Sequence, residues 1–106
     1  MSTVRPPLGQ VIATREFELL SDTLPPVTVV LRIGVPVPDP NPPGDAWGCP
    51  FRIDTGDQSK DVVCFGVDSI QALRLALDRA NTELVSLARN RSSRCLWQGG
   101  EDLKLK

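Results

Sequence analysis

Histidine is absent from the 106 residues, and with it goes imidazole, the usual general base near neutral pH and the commonest metal ligand. Ser-His-Asp and Cys-His catalysis are excluded within one chain. Cysteine is scarce. Cys49, Cys64 and Cys95 are an odd set with no Cys-x-x-Cys pair, which argues against a disulfide framework and a structural zinc site. Reduced thiols are expected, with Cys64 in the core and Cys49 and Cys95 in loop-like, partly exposed sequence. Excess charge is lacking too: 12 Lys and Arg stand against 13 Asp and Glu, a formal charge of -1. No global field favours nucleic acid or an anionic membrane, so any partner must be recognised locally. No apolar run approaches the roughly 18 residues that cross a bilayer, and the first seven residues lack the apolar core of a signal peptide. A cytoplasmic protein without a membrane partner is expected.

Carboxylates are the acids that remain. Asp54, Asp57, Asp61, Glu101 and Asp102 are clustered in sequence, yet Asp54-Thr55-Gly56-Asp57 and Gly99-Gly100-Glu101-Asp102 read as turn chemistry. No Gly-rich phosphate loop, metal triad or calcium loop accompanies them. No catalytic, metal or cofactor-binding residue is assigned, and no cofactor is implied.

What is present is one long amphipathic stretch. Ile70, Leu73, Leu77, Ala80, Leu84 and Leu87 recur at spacings of three and four, which places them on one face of a helix. Asp68 is a suitable N-cap and Gln71 completes a capping box. Arg74 with Asp78 and Arg79 with Glu83 mark the solvated side. Arg89, Arg91 and Arg94 crowd the far end, where cations meet the negative pole of the helix dipole, so the helix should fade near Asn90.

Ahead of the helix the apolar period changes to two. One strand is expected over about 10–20, with Val11, Ala13, Phe17 and Leu19 inward and Arg15 interrupting them. A second is expected over Val27 to Ile33. Their expected register sets Phe17 opposite Leu31, Leu19 opposite Val29 and Glu16 opposite Arg32. A second hairpin joins Pro50 to Asp54 with Val62 to Phe65. Between the hairpins, residues 34–49 carry five prolines with Trp47 and read as a long, stiffened loop. Pro40-Asn41-Pro42-Pro43 fits Pro-x-x-Pro formally, and a rigid spacer is the plainer reading. Trp47 either anchors that loop or marks an interface. Leu96 and Trp97 suggest a short fifth strand or a plug over the core. In the tail, 99–106, Leu103 and Leu105 alternate with Lys104 and Lys106 as an edge strand would, so its ordering is expected to depend on docking or on another subunit. Residues 1–8 are expected to be a flexible N-terminus.

Gly66-Val67-Asp68-Ser69-Ile70-Gln71-Ala72-Leu73-Arg74-Leu75-Ala76-Leu77, with Cys49-Pro50-Phe51-Arg52-Ile53 before it and Leu96-Trp97-Gln98-Gly99-Gly100 after it, resembles a family of small bacterial proteins known only as a domain of unknown function. The resemblance spans about the last sixty positions. It implies a bacterial cytoplasmic origin and a sheet-plus-helix domain, and transfers no activity.

These readings converge on a single α+β domain over 1–106: a four- or five-stranded, mostly antiparallel sheet of two hairpins with one long C-terminal helix packed across one face. The function expected first is a non-catalytic interaction module, binding another protein or itself as a homodimer. Leu75 and Val85 lie off the core stripe and would form its apolar second face. Trp47, Arg89, Arg91 and Arg94 are the other candidate surface residues. A toxin-neutralising immunity protein is an alternative. Another is a small enzyme or ligand binder with a cleft beside the proline-rich loop, lined by Arg15, Arg52, Cys49 or the clustered acids. Nucleic-acid contact through Arg89 to Arg94 ranks last.

Overall fold

Alternating apolar residues form the first two strands, β1 (Val11–Leu20) and β2 (Val27–Gly34). In the computed structural model, which describes residues 8–41 and 44–106, they pair antiparallel with Phe17 opposite Val29 and Leu19 opposite Val27. The expected register is thus displaced by two residues, and Glu16 faces Val30 rather than Arg32. The cause lies in the connection. Ser21 Oγ accepts the Leu24 N–H at 2.9 Å, a tight turn that lets the ladder continue up to Leu19 and Val27. A two-residue slip preserves the faces, so Phe17, Leu19, Val29, Leu31 and Ile33 are all buried as expected. Val11 and Ala13, also expected inward, are instead exposed at the outer end of β1, where the register shifts between them.

Among the described residues, the segment expected as a loop over 34–49 is strand at both ends and at Val37–Pro38, with loop between. A short strand, β3 (Val37–Pro38), pairs with the start of β4 (Trp47–Asp54), which also pairs β2 through Ile33 opposite Phe51. Since β5 (Ser59–Gly66) accompanies β4 along its full length, β2 and β3 must share the other edge of β4. β3 therefore prolongs β2 past a break, and the Asp39 N–H bond to Ala46 O at 2.8 Å closes the hairpin. Proline is tolerated because it falls at the break and at the end of a two-residue strand. Pro42 and Pro43, half of the Pro-x-x-Pro motif, lie outside the described residues, as do residues 1–7 of the expected flexible N-terminus. Leu8 is described and buried. Its carbonyl crosses Gly34 so closely that a Cβ there would stand 2.1 Å from the oxygen.

The helix α1 (Ser69–Asn90) follows β5, and β6 (Arg94–Leu96) returns to the free side of β1. Among the described residues the sheet has six strands, all antiparallel, with α1 across one face. The face that the helix turns to the sheet shares Ala80 and Leu84 with the expected stripe but is centred on alanine. Ala72, Ala76, Ala80, Leu84 and Ala88 are buried, a ridge of spacing four whose small side chains let the backbone approach closely. Leu73, Leu77 and Leu87 flank it, partly buried against the core. Ile70 is expelled, 69% exposed. Phe51, Leu31, Leu84 and Val29 are the largest fully buried side chains, each contributing roughly 1.5 to 3 kcal/mol of burial.

The tail forms no strand. Leu103 and Leu105 both turn into the core of their own domain, so its order needs no second subunit. Arg15 holds it: the guanidinium donates to the carbonyls of Leu103 at 2.9 Å and Lys104 at 3.1 Å. The charge that interrupts the inner side of β1 is thereby satisfied.

Candidate functional site

At the start of α1, Asp68 is extended and its carboxylate accepts the Gln71 N–H at 2.7 Å. Gln71 Oε1 in turn accepts the Val67 N–H at 2.7 Å, one residue earlier than a capping box requires. Gly66 makes this compact entry possible, since a Cβ there would lie 2.5 Å from the Ala72 nitrogen. The large apolar residues around this entry are exposed. Val67 is 74% exposed, Phe65 55% and Leu75 44%. Val67, Ile70, Leu75, Leu77 and Leu105 line a groove of about 640 Å³ between the helix and the tail, together with Asp68, Arg74, Asp78 and Lys106. Val67 and Gln71 also border a second hollow, beside Phe65, Asp45 and Ala46. Exposed apolar surface therefore continues from the end of β5 onto the helix.

Of the six surface residues expected from sequence, Val85, Arg89 and Arg94 come together and Leu75, Arg91 and Trp47 lie elsewhere. Leu75 lies in the groove just described. Val85 lines a separate hollow with Arg89, Arg94 and Glu101, and Arg94 faces Glu101 at 3.8 Å. Arg91 is turned to the β4–β5 connection, its Nη2 at 3.4 to 3.5 Å from Asp57, Thr55 and Gln58. Trp47 is a β4 residue, partly buried against the core, which is the anchoring arrangement. Cys49 and Cys95, expected partly exposed in loops, are buried on β4 and β6. Both their strands run farther into loop-like sequence than composition suggests. Cys64 is half-buried on β5.

A cleft of about 220 Å³ opens at the opposite end of the helix, between the β4–β5 connection and Glu83, Ser86, Leu87 and Asn90. None of Arg15, Arg52, Cys49 or the clustered acids lines it, and it is not beside the proline-rich segment. Its carboxylate, Glu83, bonds Lys60 and Arg79, and the Lys60 bond foremost holds its pKa below the ordinary value. Such a group stays ionised near neutrality and is a poor proton donor. The clustered acids serve turns and pairs: Asp54 accepts the Gly56 N–H, Asp102 the Lys104 N–H, and Asp61 meets Arg52 at 2.6 Å. The Thr55 hydroxyl, with Arg91 after it, lowers the Asp57 pKa. Among the described residues no three metal-ligating side chains are grouped.

Phe65, Val67 and Ile70 were not legible as surface. Counting large apolar residues draws Ile70 into the stripe, whereas the signal that would have released it is alanine at 72, 76, 80 and 88. No curated protein and no solved structure matches the chain. A family match does extend over residues 13–105, well beyond the last sixty positions in which the resemblance was visible. The chain therefore belongs to DUF6968, a family described as a domain of unknown function.

Proposed function

We propose that this protein is a non-catalytic interaction module of the cytoplasm that associates with a second copy of itself through the groove at the start of α1. The observation that carries the reading is the exposure of Val67, Ile70 and Leu75 along one groove, with Phe65 in the hollow that shares Val67. Large apolar side chains exposed together, unlike scattered ones, mark surfaces that partners cover. The charges support a second copy as the occupant. Asp68 and Asp78 line the groove with Arg74 and Lys106, so two such surfaces brought together about a two-fold axis can set opposite charges against each other. A chain of formal charge -1 offers little long-range repulsion between copies. Three free thiols suit a reducing compartment.

Mixed labelled and unlabelled protein tests the reading. Intermolecular NMR contacts from the Ile70 and Leu75 methyls to Val67 or Leu105 of the other copy are expected. Intermolecular contacts made elsewhere, or none at millimolar concentration, would refute it.

A further inference from the structure

The β4–β5 ladder sets two thiols against each other. Cys49 and Cys64 are direct partners in the antiparallel register, so their side chains leave the sheet on the same face. Direct partners have Cα atoms about 4.5 to 5.5 Å apart, within the roughly 4.4 to 6.8 Å that a disulfide spans. Neither sulfur is bonded to another. The Cys49 thiol donates to Gly34 O at 3.6 Å, a weak contact that rotation about χ1 gives up. Cys49 is wholly enclosed, whereas Cys64 is half-buried on a strand whose one sheet neighbour, among the described residues, is β4. An external reagent therefore meets Cys64 first. Cys95 sits on β6, on the far side of β1 and β2, out of reach of both.

We propose that Cys64 and Cys49 form a thiol–disulfide exchange site, entered at Cys64 by a small-molecule disulfide of the glutathione class and closed by Cys49. The Cys64 thiolate attacks one sulfur of oxidised glutathione, forming a mixed disulfide and releasing one glutathione, which takes up a proton. Cys49 then loses its proton and attacks the Cys64 sulfur, expelling the second glutathione. One S–S bond forms in the protein, one S–S bond is reduced, and two electrons pass from the cysteine pair to glutathione. Burial pushes the Cys49 pKa up to about 11 and raises that of Cys64. Exchange is consequently slow at neutral pH, and the bridge accumulates under sustained oxidation, tying β5 to the sheet.

The test is a peptide mass map of the full-length protein after prolonged exposure to oxidised glutathione, digested without reductant. A Cys49–Cys64 bridge with Cys95 free is expected in the wild type. Cys49→Ser should instead retain one glutathione on Cys64, and Cys64→Ser should leave Cys49 unmodified. Glutathione retained on Cys64 of the wild type beside a free Cys49 would overturn the proposal. So would a bridge that includes Cys95, or an unmodified Cys64. The wild-type map decides the matter even if a serine variant fails to fold.

Discussion

Arg15 lies over the ring of Trp97, its guanidinium carbon 4.1 Å from the ring centroid, while the same group donates to the carbonyls of Leu103 and Lys104. One side chain from the first strand thus joins the residue after β6 to the C-terminal tail. The carbonyls fix the tail's path, and the tail delivers Leu103 and Leu105 to the core. Leu105 also forms a wall of the groove at the start of α1, so the shape of the candidate interface depends on Arg15.

Arg15→Ala should cost about 2 kcal/mol, from a stacked cation and charge-assisted hydrogen bonds. Amide exchange in 103–106 should accelerate in parallel. Arg15→Lys keeps the charge but lacks the planar fork and should fall between. An unchanged urea midpoint with unchanged tail protection would show the contact to be idle.

The face of α1 is tested by a contrast. Ala76→Leu inserts three carbons where the helix meets the sheet, and overpacking there should cost about 1 to 3 kcal/mol. Ile70→Ser, on an exposed side chain, should change stability by no more than about 0.5 kcal/mol in dilute solution. Denaturation midpoints ranking the two the other way would restore the leucine stripe as the buried face.

That contrast also marks what could be seen in the sequence. Asp68 as the cap, the helix end near Asn90, the inward set of β2 and the Phe17 and Leu19 half of the β1 set were legible because each is set by local chemistry or by period. The helix face was legible in part: Ala80 and Leu84 of the stripe are buried and Leu73, Leu77 and Leu87 pack against the core. The alanine ridge was not, since spacings of three and four fit the leucines and the alanines alike. Which ridge is buried depends on how closely a flat sheet lets the helix approach. The register of β1 against β2 was missed by two residues because a slip of two leaves every side chain on its own face; only the Ser21 turn decides it. Proline between 36 and 43 suggested a loop because proline cannot donate to a ladder, but the short β3 leaves room for it. As for the candidate site, Leu75 was visible as an off-stripe residue. Its neighbours were not: Phe65 leaves β5 on the face opposite the Cys49–Cys64 pair, and Val67 and Ile70 lie at the helix entry, where Gly66 approaches the first turn.

Gly66→Ala tests that approach. Its Cβ would stand 2.5 Å from the Ala72 nitrogen and 2.9 Å from the Gln71 carbonyl carbon, so the first turn must shift. A loss of about 1 to 3 kcal/mol is expected, as for other overpacked sites, with amide shift changes concentrated in 66–75. A variant as stable as the wild type with an undisturbed helix start would contradict the geometry.

Acid should weaken the fold partly through Glu83. Hydrogen bonding to Lys60, then to Arg79, lowers its folded pKa below the ordinary 4.5. A depressed carboxylate adds stability above its unfolded pKa and loses it as pH falls through the folded value. Between about pH 5 and pH 3 the wild type should therefore lose more stability than Glu83→Gln, while above that window the wild type should be the more stable of the two. Parallel pH profiles would show that the Lys60–Glu83 pair contributes nothing.

Self-association at the start of α1 is tested most directly by sedimentation velocity over a range from low to high micromolar, comparing the wild type with Ile70→Glu. The wild type should shift from monomer to dimer as concentration rises. Ile70→Glu, which places a carboxylate in the groove without touching the core, should stay monomeric at every concentration with unchanged circular dichroism. A wild type that remains monomeric at high micromolar concentration, or a variant that dimerises as readily, would contradict the account.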